Sequence, residues 1–147
     1  MKKAAILALS FLILFISCKK EEKFAEPDFV LQKWSEAIKS QNYKNYKRYE
    51  ANPKSPQVFR EIYREFYFSD VFVVEIEDLD KEKIKEDHEG NPYLQRSVTF
   101  ECTEVKRKTG KPVKLVRGNV LFIKYTEGKR KKEGWLMFNR TLTRMNR

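Results

Sequence analysis

At 147 residues, with 31 Lys and Arg against 21 Asp and Glu, the chain has the size of one ordinary domain and a formal charge of +10. Two cysteines and a single histidine exclude a disulfide framework and a Cys/His metal cluster. A basic balance of this size points to acidic surfaces, anionic headgroups or nucleic acid as partners.

Residues 1–17 read as a leader. Lys2 and Lys3 precede an apolar run over residues 4–16, which closes on Ser17-Cys18 before the chain turns to Lys19-Lys20-Glu21-Glu22-Lys23. A positive start, a short apolar stretch and a small residue before a cut define a secretory signal. A spanning helix needs about 20 apolar residues to cross a core of roughly 30 Å, and this run is too short. Phe15-Ile16-Ser17-Cys18 resembles a bacterial lipobox, with Ile16, Ser17 and Cys18 in the pattern and Phe15 where Leu is usual. The resemblance implies cleavage before Cys18, lipid on its sulfur, and Cys18 as the mature N-terminus. The other reading of the same residues is a plain signal peptide with an incidental cysteine. Two or more acyl chains anchor stably, at about 0.8 kcal/mol per buried CH₂. The membrane, held through the lipid on Cys18, is therefore the first expected partner. The expected address is the cell envelope, at the outer membrane rather than the inner one, which removes nucleic acid from the partners.

Residues 18–27 form a charged tether after the lipidated cysteine, and residues 28–147 form a single domain. Asp28 is placed to cap a helix over 28–41, since Val30, Trp34, Ala37 and Ile38 fall at helical spacing. Gln41-Asn42 breaks it. Tyr43, Tyr46 and Tyr49 recur every three residues in a short second helix; the stripe reads as packing with hydroxyls reaching water, or as a binding surface. Ser55-Pro56 opens a third helix whose apolar face is Val58, Phe59, Ile62, Tyr63 and Phe66, finished by Tyr67-Phe68.

From Asp70 the period changes. Val71-Phe72-Val73-Val74-Glu75-Ile76 reads as a strand, residues 78–89 as a charged loop, and Gly90-Asn91-Pro92 as a turn. Three further strands follow, over about 93–105, 113–125 and 134–145, separated by turns at Thr109-Gly110-Lys111-Pro112 and Glu127-Gly128. The expected fold is α+β, with N-terminal helices packed on one face of a curved, antiparallel, four-stranded meander.

The order of a Trp34-x-x-Ala37-Ile38 helix, a Tyr-rich helix, a third helix running into strands, and a last strand opening Gly134-Trp135-Leu136 resembles the nuclear transport factor 2-like (SnoaL-like) cone fold. The resemblance covers nearly all of residues 28–147 and rests on architecture. It implies a cone-shaped cavity between helices and sheet, and a homodimer through the sheet face. That family includes isomerases, dehydratases and many non-enzymes, so it implies no single activity. Its enzymes place Asp and His in the cavity, and no His falls on a predicted helix or strand here.

Three polar residues stand out as ligand-binding candidates. Arg117 and Asn119 share a face with Val113, Leu115, Leu121 and Ile123, and Arg140 shares one with Leu136, Phe138 and Leu142. Facing a cavity, Arg117 and Arg140 would hold a carboxylate or phosphate, with Asn119 orienting it. On a solvated face they would instead pair with Glu75, Glu101 or Glu104. Cys102 alternates with Thr99, Glu101 and Thr103 on the apolar side of Val98 and Phe100, where a buried, inert thiol is expected, and His88 lies in a different loop. Lys106-Arg107-Lys108 with Lys111, and Lys129-Arg130-Lys131-Lys132, occupy successive turns and so opposite ends of the meander. Each reads as a solvated hairpin tip or as a rest for anionic headgroups, at about 1 kcal/mol per charge. Asp78-x-Asp80 and Glu86-Asp87-x-Glu89 lack the glycine and spacing of a calcium loop. No metal, no cofactor and no catalytic residue is expected. The expected role is binding of a small anionic ligand or an envelope protein; the alternatives are a SnoaL-like envelope enzyme using Arg117, Asn119 and tyrosines, or a surface interaction protein acting through the basic turns.

Overall fold

The computed structural model describes residues 26–79 and 84–145. The leader, the lipobox at Cys18 and residues 19–25 of the tether lie outside them.

Helix α1 spans Pro27–Lys39. Pro27 sits in the first turn, where its missing N–H costs nothing, so the helix starts one residue before the expected place and the cap is Glu26, not Asp28. Asp28 in the first turn and Lys39 in the last complement the helix dipole. One stripe, Val30, Leu31, Trp34, Ala37 and Ile38, is buried. Helix α2, Tyr43–Arg48, is capped by the Asn42 side chain, which accepts from the Asn45 N–H at 3.1 Å. Its tyrosines pack. Tyr46 is 1% exposed, so its hydroxyl does not reach bulk water, while the Tyr43 hydroxyl donates to the Lys54 carbonyl at 2.7 Å.

Helix α3, Pro56–Ile62, begins at Ser55, whose hydroxyl accepts from the Val58 N–H. It stops at Ile62, six residues short of the expected end at Phe68. Phe66, Tyr67 and Phe68 belong to strand β1, Phe66–Leu79, because Phe68 stacks on Trp34 at 5.6 Å and pairs across the ladder with Glu104. Of the expected apolar face only Phe59 and Tyr63 are buried; Val58 and Ile62 are exposed.

A two-residue strand β2, Lys85–Glu86, lies inside the expected loop. Strands β3 (Pro92–Lys106), β4 (Lys111–Tyr125) and β5 (Trp135–Arg144) follow, with a short 3-10 helix, Lys129–Glu133, before β5. The sheet order is β1-β3-β4-β5, antiparallel throughout, with β2 beside the start of β3. The molecule is thus α+β, with helices covering one face of an open sheet. Val98, Phe100 and Cys102 of β3 and Val116, Val120 and Phe122 of β4 meet Trp34, Tyr46, Phe59 and Tyr63 in the main core. The alternate residues of these strands point to the open face.

Two irregularities re-aim side chains. Asp70, with φ of 51°, sits in the first bulge of β1. In β5 the register slips between Leu121↔Asn139 and Phe122↔Met137, leaving Phe138 unpaired.

Candidate functional site

The β5 slip decides where the candidate residues go. A one-residue shift exchanges the faces of a strand. Before the slip Leu136 pairs with Ile123 on the open face; after it Arg140 pairs with Val120 and Leu142 with Gly118, both on the helix face. Arg140 therefore does not share a face with Leu136, as an unbroken strand would require. Nor does it join Arg117 and Asn119.

Those two lie on the open face. Arg117 is 3.6 Å from the Glu101 carboxylate, and Asn119 donates to Ser97 Oγ at 3.2 Å and Thr99 Oγ1 at 3.3 Å. Around Arg117 and Asn119 the face expected to line a cavity is solvated, and further along it Ile123, Tyr125 and Leu136 are buried in a second small cluster against Ala51 and Tyr93.

Arg140 points inward instead. Its guanidinium donates to Glu50 Oε1 at 2.7 Å and to the Tyr63 hydroxyl at 3.1 Å, and lies 5.0 Å from the Trp34 ring. Glu50 is held there by backbone. The Met137 N–H donates to Tyr49 O at 2.8 Å and the Ala51 N–H to Met137 O at 2.9 Å, so a short parallel bridge turns Glu50 into the core. Burial raises the Glu50 carboxyl above its ordinary value, with Arg140 pulling the other way. Burial works against the Arg140 charge, but Tyr63 and Glu50 more than offset it and hold the guanidinium above its ordinary range. The Tyr46 hydroxyl, buried beside this pair, is pushed up to about 12. The Trp34 Nε1–H is buried with no hydrogen-bond partner among the described residues, although it lies near enough to Glu50 to favour the carboxylate.

Tyr63 joins this network to a groove of about 540 Å³ on the helix side, between the α3–β1 junction and the ends of β4 and β5. Phe66, Phe68, Val116 and Leu142 give it an apolar lining. Set into that lining is Glu104, 5% exposed, whose Oε2 accepts from Arg144 at 3.0 Å. Arg144 itself stays more than half exposed at the mouth. Gly118 lies beneath Phe100 and Leu142, leaving these side chains room to pack close to the β4 backbone.

Other chemistry-bearing groups lie apart from the groove. Cys102 is buried and its thiol pushed up to about 12, by burial first and then by Glu104. The His88 side chain is 89% exposed on the turn before β3. Among the described residues no group of three or more His, Cys, Asp or Glu is placed to hold a metal ion, and no helix is long and apolar enough to cross a membrane.

Glu50 and Arg144 are not among the residues singled out by sequence, Tyr63 stands there only as a packing residue, and Glu104 only as an ion-pair partner on a solvated face. Glu104 carried a signal, since it continues the alternation Val98, Phe100, Cys102 on the buried face of β3. Glu50 carried none, because the bridge that buries it joins residues far apart in the chain. No family model matches the chain, and no curated protein matches it.

Proposed function

We propose that this is a lipid-anchored lipoprotein of the cell envelope that binds a small amphipathic anion in its helix-side groove. The observation that carries the ligand reading is the Glu104–Arg144 pair set into an apolar lining. A guanidinium has five N–H donors; Nε donates to Glu104 Oε2 and one terminal nitrogen lies 3.0 Å from the same oxygen. The remaining donors stand at the mouth, where a carboxylate or phosphate would meet them while its apolar part lay on Phe66, Phe68 and Leu142. Glu104 holds the fork in place.

Binding rather than chemistry is favoured by the state of the reactive groups. A thiol at about 12 is no nucleophile at neutral pH, and the exposed His88 has no place beside it. The nuclear transport factor 2-like cone remains our reading of the fold, supported by three helices on one face of a bulged antiparallel sheet with a groove between them. The anchor reading rests on Phe15-Ile16-Ser17-Cys18.

Native mass spectrometry of residues 19–147 purified under mild conditions tests the ligand. A reproducible added mass that disappears in Leu142→Asp and Arg144→Ala, and persists in Arg117→Ala, is the expected result. A bare protein, or a mass indifferent to all three changes, sinks the groove. The anchor is tested separately, by labelled fatty acid that enters the wild-type chain and not Cys18→Ser.

A further inference from the structure

The described chain begins at one end of the sheet. Glu26 accepts from Arg96 at 2.6 Å, and the Arg96 guanidinium lies 4.6 Å from the Trp135 ring. Trp135 opens β5 directly after the 3-10 helix that carries Lys129, Arg130, Lys131 and Lys132. The point where the tether leaves the domain and this basic turn are therefore separated by two side chains. The other basic turn, at Lys106, Lys108 and Lys111, lies at the far end of β3, whose 15 residues span roughly 50 Å.

Chain length converts this into a constraint. Seven residues lie between Cys18 and Glu26, and the eight Cα steps that join them reach at most about 29 Å even fully extended. A lipid on Cys18 thus keeps the tether end of the domain within that distance of the bilayer. The basic surface at this end is wider than the turn. Lys44 and Lys47 of α2 face Arg130 across a depression of about 530 Å³ whose lining also includes Ala51 and the exposed Pro53. Acidic groups share the end. Glu133 is bound by Arg130 at 2.9 Å, Asp87 by Asn91, and Glu127 and Glu89 stand in the turns. Lys129, Lys131 and Lys132 are exposed beyond them.

We infer that the domain rests on a bilayer containing anionic headgroups through the 3-10 helix and α2, with Lys129, Lys131 and Lys132 as the principal contacts. The surface is a second anchor beside the lipid, and the far turn points away from the membrane. The inference takes its reach argument from lipidation of Cys18, yet the surface can be examined without the lipid.

All described elements lie within residues 26–145, so residues 19–147 without acyl chains retain the whole described fold. That chain is floated at low ionic strength with phosphatidylcholine vesicles, with and without phosphatidylglycerol. The expected result is binding to the anionic vesicles alone, weakened by salt. Joint Lys129→Gln, Lys131→Gln and Lys132→Gln changes should lower it by about two orders of magnitude, roughly fivefold per charge. The matched set Lys106→Gln, Lys108→Gln and Lys111→Gln should leave binding within about twofold. Equal losses from the two sets, no loss from the first, or no binding to either vesicle overturns the inference. Selective loss in a protein whose Cys18 takes no label would uphold the surface and remove only the covalent anchor.

Discussion

The ring of Phe100 on β3 lies over Gly118 on β4 so closely that any Cβ there would collide with it, and the Leu142 Cδ2 on the other side would stand only 3.0 Å away. Glycine in a central strand costs stability by itself, and an aromatic ring laid over it recovers much of the loss. Gly118→Ala should therefore destabilise the fold by about 1–3 kcal/mol, the usual cost of overpacking a core. Urea unfolding of the two chains measures it; a variant as stable as wild type would show that Phe100 moves freely.

Arg140 and Glu50 predict a large asymmetry. Removing one member of a buried pair strands the other, at a cost of about 3–5 kcal/mol, whereas replacing both with apolar groups of similar size is far milder. Arg140→Met should be severely destabilised, and Arg140→Met with Glu50→Leu should recover much of the loss. Chemical unfolding of the three variants decides it, and a double variant no better than the single would sink the account.

The same pair sets a pH dependence. Burial raises the folded Glu50 above its ordinary 4.5, so its contribution to stability is complete below that value and fades as pH rises through the higher folded value. Glu50→Gln cannot titrate. The stability difference between Glu50→Gln and wild type should shift in favour of the variant as pH rises past 4.5, and a difference flat with pH would contradict it.

Asp87 titrates in the opposite sense. Its carboxylate accepts from the Asn91 backbone and side-chain N–H groups, and from the Glu89 N–H, at 2.9 to 3.1 Å, and is held down to about 2, the Asn91 backbone bond contributing most. The support it gives the β2–β3 turn is present above its ordinary 3.8 and is lost as pH falls toward 2. Protection of the Glu89 and Asn91 amides, measured against the intrinsic exchange rate at each pH, should fall over that interval in wild type. In Asp87→Ala that protection should be low at every pH.

Cys102 gives a fifth test. A thiol at about 12 should resist alkylation at neutral pH in the folded protein and react only as urea opens the core. Because its folded value is raised above 9.0, its contribution to stability is present below that pH and is lost as pH climbs toward 12. Cys102→Ala should lack this alkaline loss.

Much of this architecture is legible from residue order. The apolar stripe through Val30, Trp34 and Ile38, the Ser55-Pro56 start and the alternation of β3 each follow from local periodicity. The failures share a cause. At Phe66, helical spacing continues for a turn beyond the point where stacking on Trp34 makes a strand the better choice. At Phe138 a single unpaired residue reverses the faces of β5, so counting by twos places Arg140 with Leu136 when it belongs with Val120. Glu50 is buried by a bridge to Met137, a partner that no local window contains. Local periodicity reports which way a side chain points only until the ladder slips.

Arg107 has a role that concerns time. From the turn after β3, its guanidinium donates to the carbonyls of Ile38 and Lys39 at the end of α1 and to that of Tyr63 after α3. Those carbonyls belong to helix ends, where the last C=O groups lack a full set of intrahelical partners; Ile38 O has the Gln41 N–H at 3.1 Å as well, while Lys39 O is met by Arg107 from across the molecule. A chain emerging from its N-terminus would carry α1 with an unfinished end until 68 further residues had followed. The first helix of the described chain is among the last completed, and it waits for the second half of the molecule before its end can close.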